Sequence, residues 1–158
     1  MILVRPILNS LDKANSNSLN NDIEDNLDQI DYLMTIQKTP IVTAHCDAHL
    51  DNFMYCEATG KLTMIDFELM HPFPVAFDFA YHFIFYEPKH TSLDQIHPRE
   101  KQAILLKEYF NGMGHTGNNQ KQLIEDYLDS IEIMVPVVIL HCIILVIMLA
   151  ETPRELNV

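Results

Sequence analysis

Two short stretches decide how this chain is interpreted: HCDAHLDN at residues 45–52 and IDFE at residues 65–68. The apolar pair Ile41-Val42 precedes the first stretch and predicts a short buried strand, while the stretch itself is polar enough to form a loop. Apolar runs flank EATGK at residues 57–61, a pattern typical of a β-hairpin. Because a hairpin reverses the chain, we expect the second stretch to return beside the first.

The spacing of polar residues in these stretches has a chemical reason. The first stretch fits H-x-D-x-x-x-x-N, the spacing of a kinase catalytic loop. Asp47 would orient a hydroxyl group and take its proton, while Asn52 and Asp66 would offer oxygen ligands to the Mg²⁺ that bridges the phosphates of ATP. Each motif alone arises easily by chance, whereas the two together, in this order, are more specific. The alternative is that all three are turn residues that cap backbone groups.

The segment Ile41–Tyr86 resembles the choline and ethanolamine kinases. The likeness rests on residues 45–52, on residues 65–68 and on FDFAYHF at residues 77–83, and extends more faintly over residues 23–150. The bacterial aminoglycoside phosphotransferases share the residue spacing of the first motif, H-x-D-x-x-x-x-N. The resemblance implies an α+β fold, namely a mostly helical carboxy-terminal lobe of a protein-kinase-like fold, with a small β-hairpin next to the catalytic loop. It also implies a cytoplasmic, Mg²⁺- and ATP-dependent enzyme of phospholipid synthesis that phosphorylates a small amino alcohol.

Carried over residue by residue, the resemblance implies a role for five positions. Asp47 would be the catalytic base. Asn52 and Asp66 would hold the metal and thereby the nucleotide. His45 and Asp78 would brace the catalytic loop without taking part in the chemistry.

The substrate side departs from the family pattern. Members of the family hold an ammonium group with aromatic rings and a carboxylate, yet this chain has no tryptophan, and Ile144 and Ile147 stand where aromatic residues are expected. His49, Glu68 and Glu87 are the candidates for contact with the substrate. Choline, ethanolamine and another alcohol therefore stay open as acceptors.

The sequence predicts a short flexible arm followed by one larger lobe. Residues 1–22 are rich in Asn and Ser and predict a flexible arm, and residues 23–158 would form the lobe. About forty residues precede the catalytic loop, too few for a nucleotide-covering sheet with its glycine-rich loop and lysine, so we expect that lobe to be absent from this chain. The GxGxxG match at residues 112–117 follows a predicted helix and is interpreted as an interhelical turn. Helices are predicted at residues 78–85, 99–110, 120–130 and 131–150.

Composition narrows the partners. A net charge of −12, with only ten Lys and Arg residues, argues against a nucleic-acid partner. An odd count of three cysteines without a CxxC pair favours a reducing compartment. Residues 133–150 carry no charge and reach the length of a transmembrane helix, but Pro136 and His141 interrupt them and no Lys or Arg cluster flanks them, so we expect a buried helix and no membrane insertion.

Two other functions compete with the kinase. His45, Asp47, His49 and Asp51 alternate, and on an extended chain their side chains would share one face, as in a zinc- or manganese-dependent hydrolase. The other is a non-catalytic kinase-lobe fragment that binds a partner. That fragment would dock on a complete kinase protomer. As a kinase, the chain would have a separate amino-terminal lobe or a second copy of itself as its partner.

Overall fold

The computed structural model describes residues 28–86 and 96–151, with side chains described as far as residue 146. The chain divides into two compact units, residues 1–37 and 38–158. In the first unit a helix, α1, covers the described residues 28–36 and ends shortly before Pro40, because proline disfavours a helical conformation in the residue before it. The predicted arm at residues 1–22 lies outside the described residues.

The second unit opens with two small antiparallel sheets. Strand β1 (Ile41–Ala44) leads into the catalytic loop, and β2 (Phe53–Cys56) leaves it and pairs with β3 (Lys61–Met64). The hairpin turn closes where the Thr59 and Gly60 amides donate to the Cys56 carbonyl; Gly60 takes the left-handed conformation that glycine adopts without steric cost. The predicted hairpin beside the loop is confirmed.

A fourth strand, β4 (His71–Pro74), pairs with β1 and is absent from the predicted elements, because prolines are typical of connections and not of strands. Pro72 and Pro74 lack an N–H group, so a strand tolerates them only where that group would point away from its partner. They lie two residues apart and face the same way, whereas the Val75 amide donates to the Pro40 carbonyl at 3.0 Å on the side of β1. The strand therefore keeps its pairing despite two prolines.

Three helices complete the second unit: α2 (Val75–Phe85), α3 (Arg99–Gly112) and α4 (Asn118–Glu151). The two helices predicted at residues 120–130 and 131–150 are one helix, which is a correction. Ser130, at the predicted break, is helical, and its hydroxyl donates to the Asp126 carbonyl one turn earlier instead of capping a new helix. The interhelical turn predicted at residues 112–117 is confirmed, with Gly114 and Gly117 both at positive φ.

The core forms where α2 and α3 pack on the first half of α4. Phe77 meets Phe73 edge to face at 4.9 Å, and Phe110 meets Tyr127 in the same way at 4.8 Å. The largest fully buried apolar side chains are those of Phe77, Leu106, Phe110, Leu128, Ile131, Met134 and Val138. Within the described part of the chain, α4 is the one helix long and apolar enough to cross a membrane. The core helix of a soluble protein meets the same criterion when it is mostly buried, whereas 28% of the apolar window of α4 is buried. Residues 128–138 supply much of the core, but Ile143 and Val146 are exposed, so the predicted buried helix is confirmed only in its first part.

Candidate active site

Helix α2 fixes the start of the catalytic loop. The Asp78 carboxylate accepts hydrogen bonds from the backbone amides of His45 and Cys46, each at 2.8 Å. Cys46 has a φ of 64°, a left-handed conformation that a non-glycine residue holds only when its surroundings determine it. Asp78 is half-buried rather than fully buried, and it stands where the resemblance implies a brace.

Asn52 joins the far end of the loop to Asp47. Its Nδ2 group donates to the Asp47 carbonyl at 2.8 Å and to the Asp47 Oδ2 atom at 2.9 Å. The short 3-10 turn Leu50–Asn52 brings the chain round so that this contact forms, and Asn52 is buried, with 6% of its surface exposed. Because Nδ2 donates to the backbone carbonyl and to the Oδ2 atom of Asp47, the Oδ1 atom of Asn52 is left to bind a different group.

The segment that carries Asp66 is attached to both ends of the loop through Ile65. The Ile65 amide donates to the Asn52 carbonyl at 3.0 Å, and the Ile65 carbonyl accepts from the His45 Nε2 atom at 2.8 Å. Asp66 follows directly, at a φ of 63°, and its side chain is exposed. The structure therefore brings the two motifs together, although a metal-binding role for Asp66 stays a prediction.

His45 is held inside the loop by two contacts. A carbonyl oxygen can only accept a hydrogen bond, so the Nε2 atom of His45 carries a proton and donates the hydrogen bond to the Ile65 carbonyl. The ring also meets Phe67 edge to face at 5.3 Å, and its buried Nδ1 atom has no hydrogen-bond partner among the described residues. This geometry suits a residue that braces the loop.

The extended face assumed for the hydrolase hypothesis does not form. The His49 amide donates to the Asp47 carbonyl at 2.9 Å, so the chain turns between these two residues. His45 points toward Ile65, while the Asp51 side chain is 98% exposed. Among the described residues, no group of three or more His, Cys, Asp or Glu side chains is arranged to hold a metal ion. The prediction that these four alternating residues share one face is therefore wrong.

The three candidates for the substrate side differ in position. His49 lies at the site, with its Nε2 atom 3.4 Å from the Asp47 Oδ2 atom and 3.3 Å from the Asn52 Nδ2 atom. Glu68 is exposed in the turn before β4, and the described residues show no hydrogen bond from it to the loop. Glu87 lies outside the described residues.

Three further residues border Asp47 and were not predicted as site residues. Tyr81, almost fully buried on α2, has its pKa raised by burial and then by a hydrogen bond with the Asp47 carboxylate. Burial lowers the pKa of His141 on α4 and raises that of its neighbour Cys142, and the charge of Asp47 raises both. The His141 ring meets Phe77 edge to face at 5.4 Å. The signal for the last two was a polar pair inside an otherwise apolar helix.

These features define the class of protein: a mostly helical, kinase-like lobe in which the loop of residues 45–52 and the segment of residues 65–68 meet beside a small hairpin. The model of the family described as choline/ethanolamine kinase matches residues 7–156, and the chain belongs to that family. A solved Plasmodium vivax ethanolamine kinase superposes with a TM-score of 0.63 at 23% identity, which shows a common fold. That alignment covers 73% of this chain and 30% of the other, so this chain spans less than a third of that enzyme's length. No curated protein matches the chain.

Proposed function

We propose that this chain supplies the catalytic-base and metal-binding side of an ATP-dependent kinase that phosphorylates the hydroxyl group of a small amino alcohol. The observation that carries the proposal is the position of Asn52: its Nδ2 group donates to the backbone carbonyl and to the Oδ2 atom of Asp47, and its backbone carbonyl accepts from the Ile65 amide. A single residue thus connects the base to the metal-binding segment. Membership of the choline/ethanolamine kinase family supports the choice of reaction.

In this proposal Asp47 accepts the proton of the substrate hydroxyl group. Its Oδ2 atom is fixed by Asn52 at 2.9 Å and lies 3.4 Å from His49, so the carboxylate is oriented before a substrate arrives. Tyr81 also interacts with this carboxylate from α2. The role of Asp47 is to hold the acceptor oxygen in line with the transferred phosphoryl group and to take up its proton.

The residues present fit Mg²⁺. The Asn52 Oδ1 atom and the exposed Asp66 carboxylate are hard oxygen donors on segments that the Ile65 hydrogen bond joins. Two protein ligands are enough, because Mg²⁺ keeps several waters and takes its other ligands from the substrate phosphates. When bound, the ion would neutralise the charge that develops on those phosphates.

The proposal extends to the setting of the reaction. Choline and ethanolamine both remain as acceptors, and the product would enter phospholipid synthesis. The nucleotide clamp, a glycine-rich loop with a lysine, would be supplied by a separate lobe that binds this chain. A second copy of the chain is the other proposed partner, but it would not supply the clamp. Three free cysteines support a reducing, cytoplasmic location.

A phosphoryl-transfer assay tests the proposal. The purified chain is incubated with ATP, Mg²⁺ and either ethanolamine or choline, with and without a kinase lobe that carries the lysine and the glycine-rich loop. We expect little or no product from the chain alone, and product with the added lobe that disappears in Asp47→Ala. Product from the chain alone would contradict the external clamp, and turnover that survives Asp47→Ala would contradict the role of Asp47.

A further inference from the structure

One face of α2 holds the catalytic loop at more than one point. Asp78 and His82 are four residues apart, so their side chains lie one above the other on the same side of the helix. The Asp78 carboxylate accepts hydrogen bonds from the amides of His45 and Cys46. One turn later, the His82 Nδ1 atom lies 3.2 Å from the Ala48 carbonyl oxygen.

The chemistry of this second contact fixes the state of the His82 ring. The carbonyl of Ala48 can only accept, so Nδ1 must carry the proton and donate it. Burial, the largest cause, lowers the pKa of His82; the hydrogen bond to the Ala48 carbonyl raises it and His97 lowers it, and the net shift is downward. A ring that is neutral at pH 7 and protonated on Nδ1 leaves Nε2 with its lone pair.

The two contacts lie on either side of Asp47. Cys46, before it, is held through its amide by Asp78, and Ala48, after it, is held through its carbonyl by His82. His82 also meets Phe53, the residue that follows Asn52, edge to face at 5.9 Å. Rotation of the Asp47 backbone would therefore break a contact with α2.

We propose that His82 is a positioning residue for Asp47: by anchoring the Ala48 carbonyl, it holds Asp47 where the Asn52 Nδ2 group reaches its backbone carbonyl and its Oδ2 atom. The inference rests on the proposed function only in treating Asp47 as the base. Its geometric content stands without that assignment.

The first test is the ring of His82 in the unmodified chain. Long-range ¹H–¹⁵N NMR spectra distinguish the two neutral tautomers of histidine. We expect His82 to be neutral near pH 7 with its proton on Nδ1. A proton on Nε2, or an average of both forms, would overturn the proposal, and no variant is needed for this measurement.

The second test compares matched variants through the side-chain amide signals of Asn52, which report on its contact with Asp47. His82→Asn keeps an amide N–H near the position of Nδ1, while His82→Leu has similar bulk and no donor. Phe83→Leu, at the neighbouring buried position of α2, is the control for lost packing alone. We expect the Asn52 signals to move toward those of exposed amides, with at least tenfold faster hydrogen exchange, in His82→Leu only.

The outcomes separate the two proposals. Equal shifts of the Asn52 signals in His82→Leu and Phe83→Leu would reduce His82 to a packing residue and overturn the inference, as would unchanged signals in His82→Leu. If the Asn52 signals respond as expected but no kinase lobe yields phosphorylated product, the positioning role stands and the proposed function fails.

Discussion

Replacing Asp78 with asparagine should lower the free energy of unfolding by a large amount for a single substitution. The carboxylate accepts two backbone N–H groups at 2.8 Å, and hydrogen bonds to a charged group contribute about 1.5–3 kcal/mol each. An asparagine offers one acceptor oxygen and turns an NH₂ group toward the other donor, so one bond is lost and the second loses its charge. Cys46 would also be released from its left-handed conformation. We expect the free energy of unfolding to fall by about 2–4 kcal/mol, against about 5–15 kcal/mol for a whole domain.

Urea unfolding followed by far-ultraviolet circular dichroism measures this loss. The control is Asp51→Asn, the same chemical change on the same loop at a side chain that is 98% exposed, where we expect a change within about 0.5 kcal/mol. A value for Asp78→Asn within about 0.5 kcal/mol of the unmodified chain would refute the argument that Asp78 fixes the loop.

Three other predictions follow from the charges and exposures in the structure. Cys56 is exposed, and hydrogen bonds with Thr59 lower its pKa, whereas burial raises the pKa of Cys46 to about 12. We therefore expect iodoacetamide at pH 8 to modify Cys56 first. Mass spectrometry that finds Cys46 modified first would contradict this prediction. Burial lowers the pKa of His82 and of His141 in the folded chain, so the unfolded chain binds protons more readily. The free energy of unfolding should therefore fall as the pH drops below about 6.5. A free energy of unfolding that stays constant between pH 7.5 and 5.5 would contradict this prediction. Arg99 pairs with three carboxylates of α4 at 2.6–3.0 Å, and Arg99→Met should cost up to about 1 kcal/mol in low salt and less in 1 M NaCl, as urea unfolding at both salt concentrations would show.

The parts of the site that are local in sequence could be predicted from it. Asp47 and Asn52 are five residues apart in one loop, and their contact follows from the spacing of that loop. The hairpin that returns Asp66 follows from two apolar runs around a glycine turn. These features depend on chain geometry over about twenty residues, which local patterns determine.

The parts that depend on packing could not be predicted. Pro72 and Pro74 have the composition of a connection, and only the partner strand β1 shows that both can lie in a strand. A boundary is predicted after Ser130, yet α4 packs against α2 and continues as one helix through Ser130 and Pro136. The position of His141 beside Asp47 results from that same packing, which no local pattern encodes.

The most direct test of the account is to locate the metal site. Mn²⁺, a paramagnetic substitute for Mg²⁺, broadens NMR signals of nuclei close to it, and low concentrations added to the ¹⁵N-labelled chain would show which residues it approaches. We predict that the signals of Asn52 and Asp66 broaden first and that Asp66→Asn abolishes the effect. Broadening centred on the carboxylates of α4 around Asp129, or broadening at Asn52 that persists in Asp66→Asn, would contradict the claim that the two motifs form one metal site.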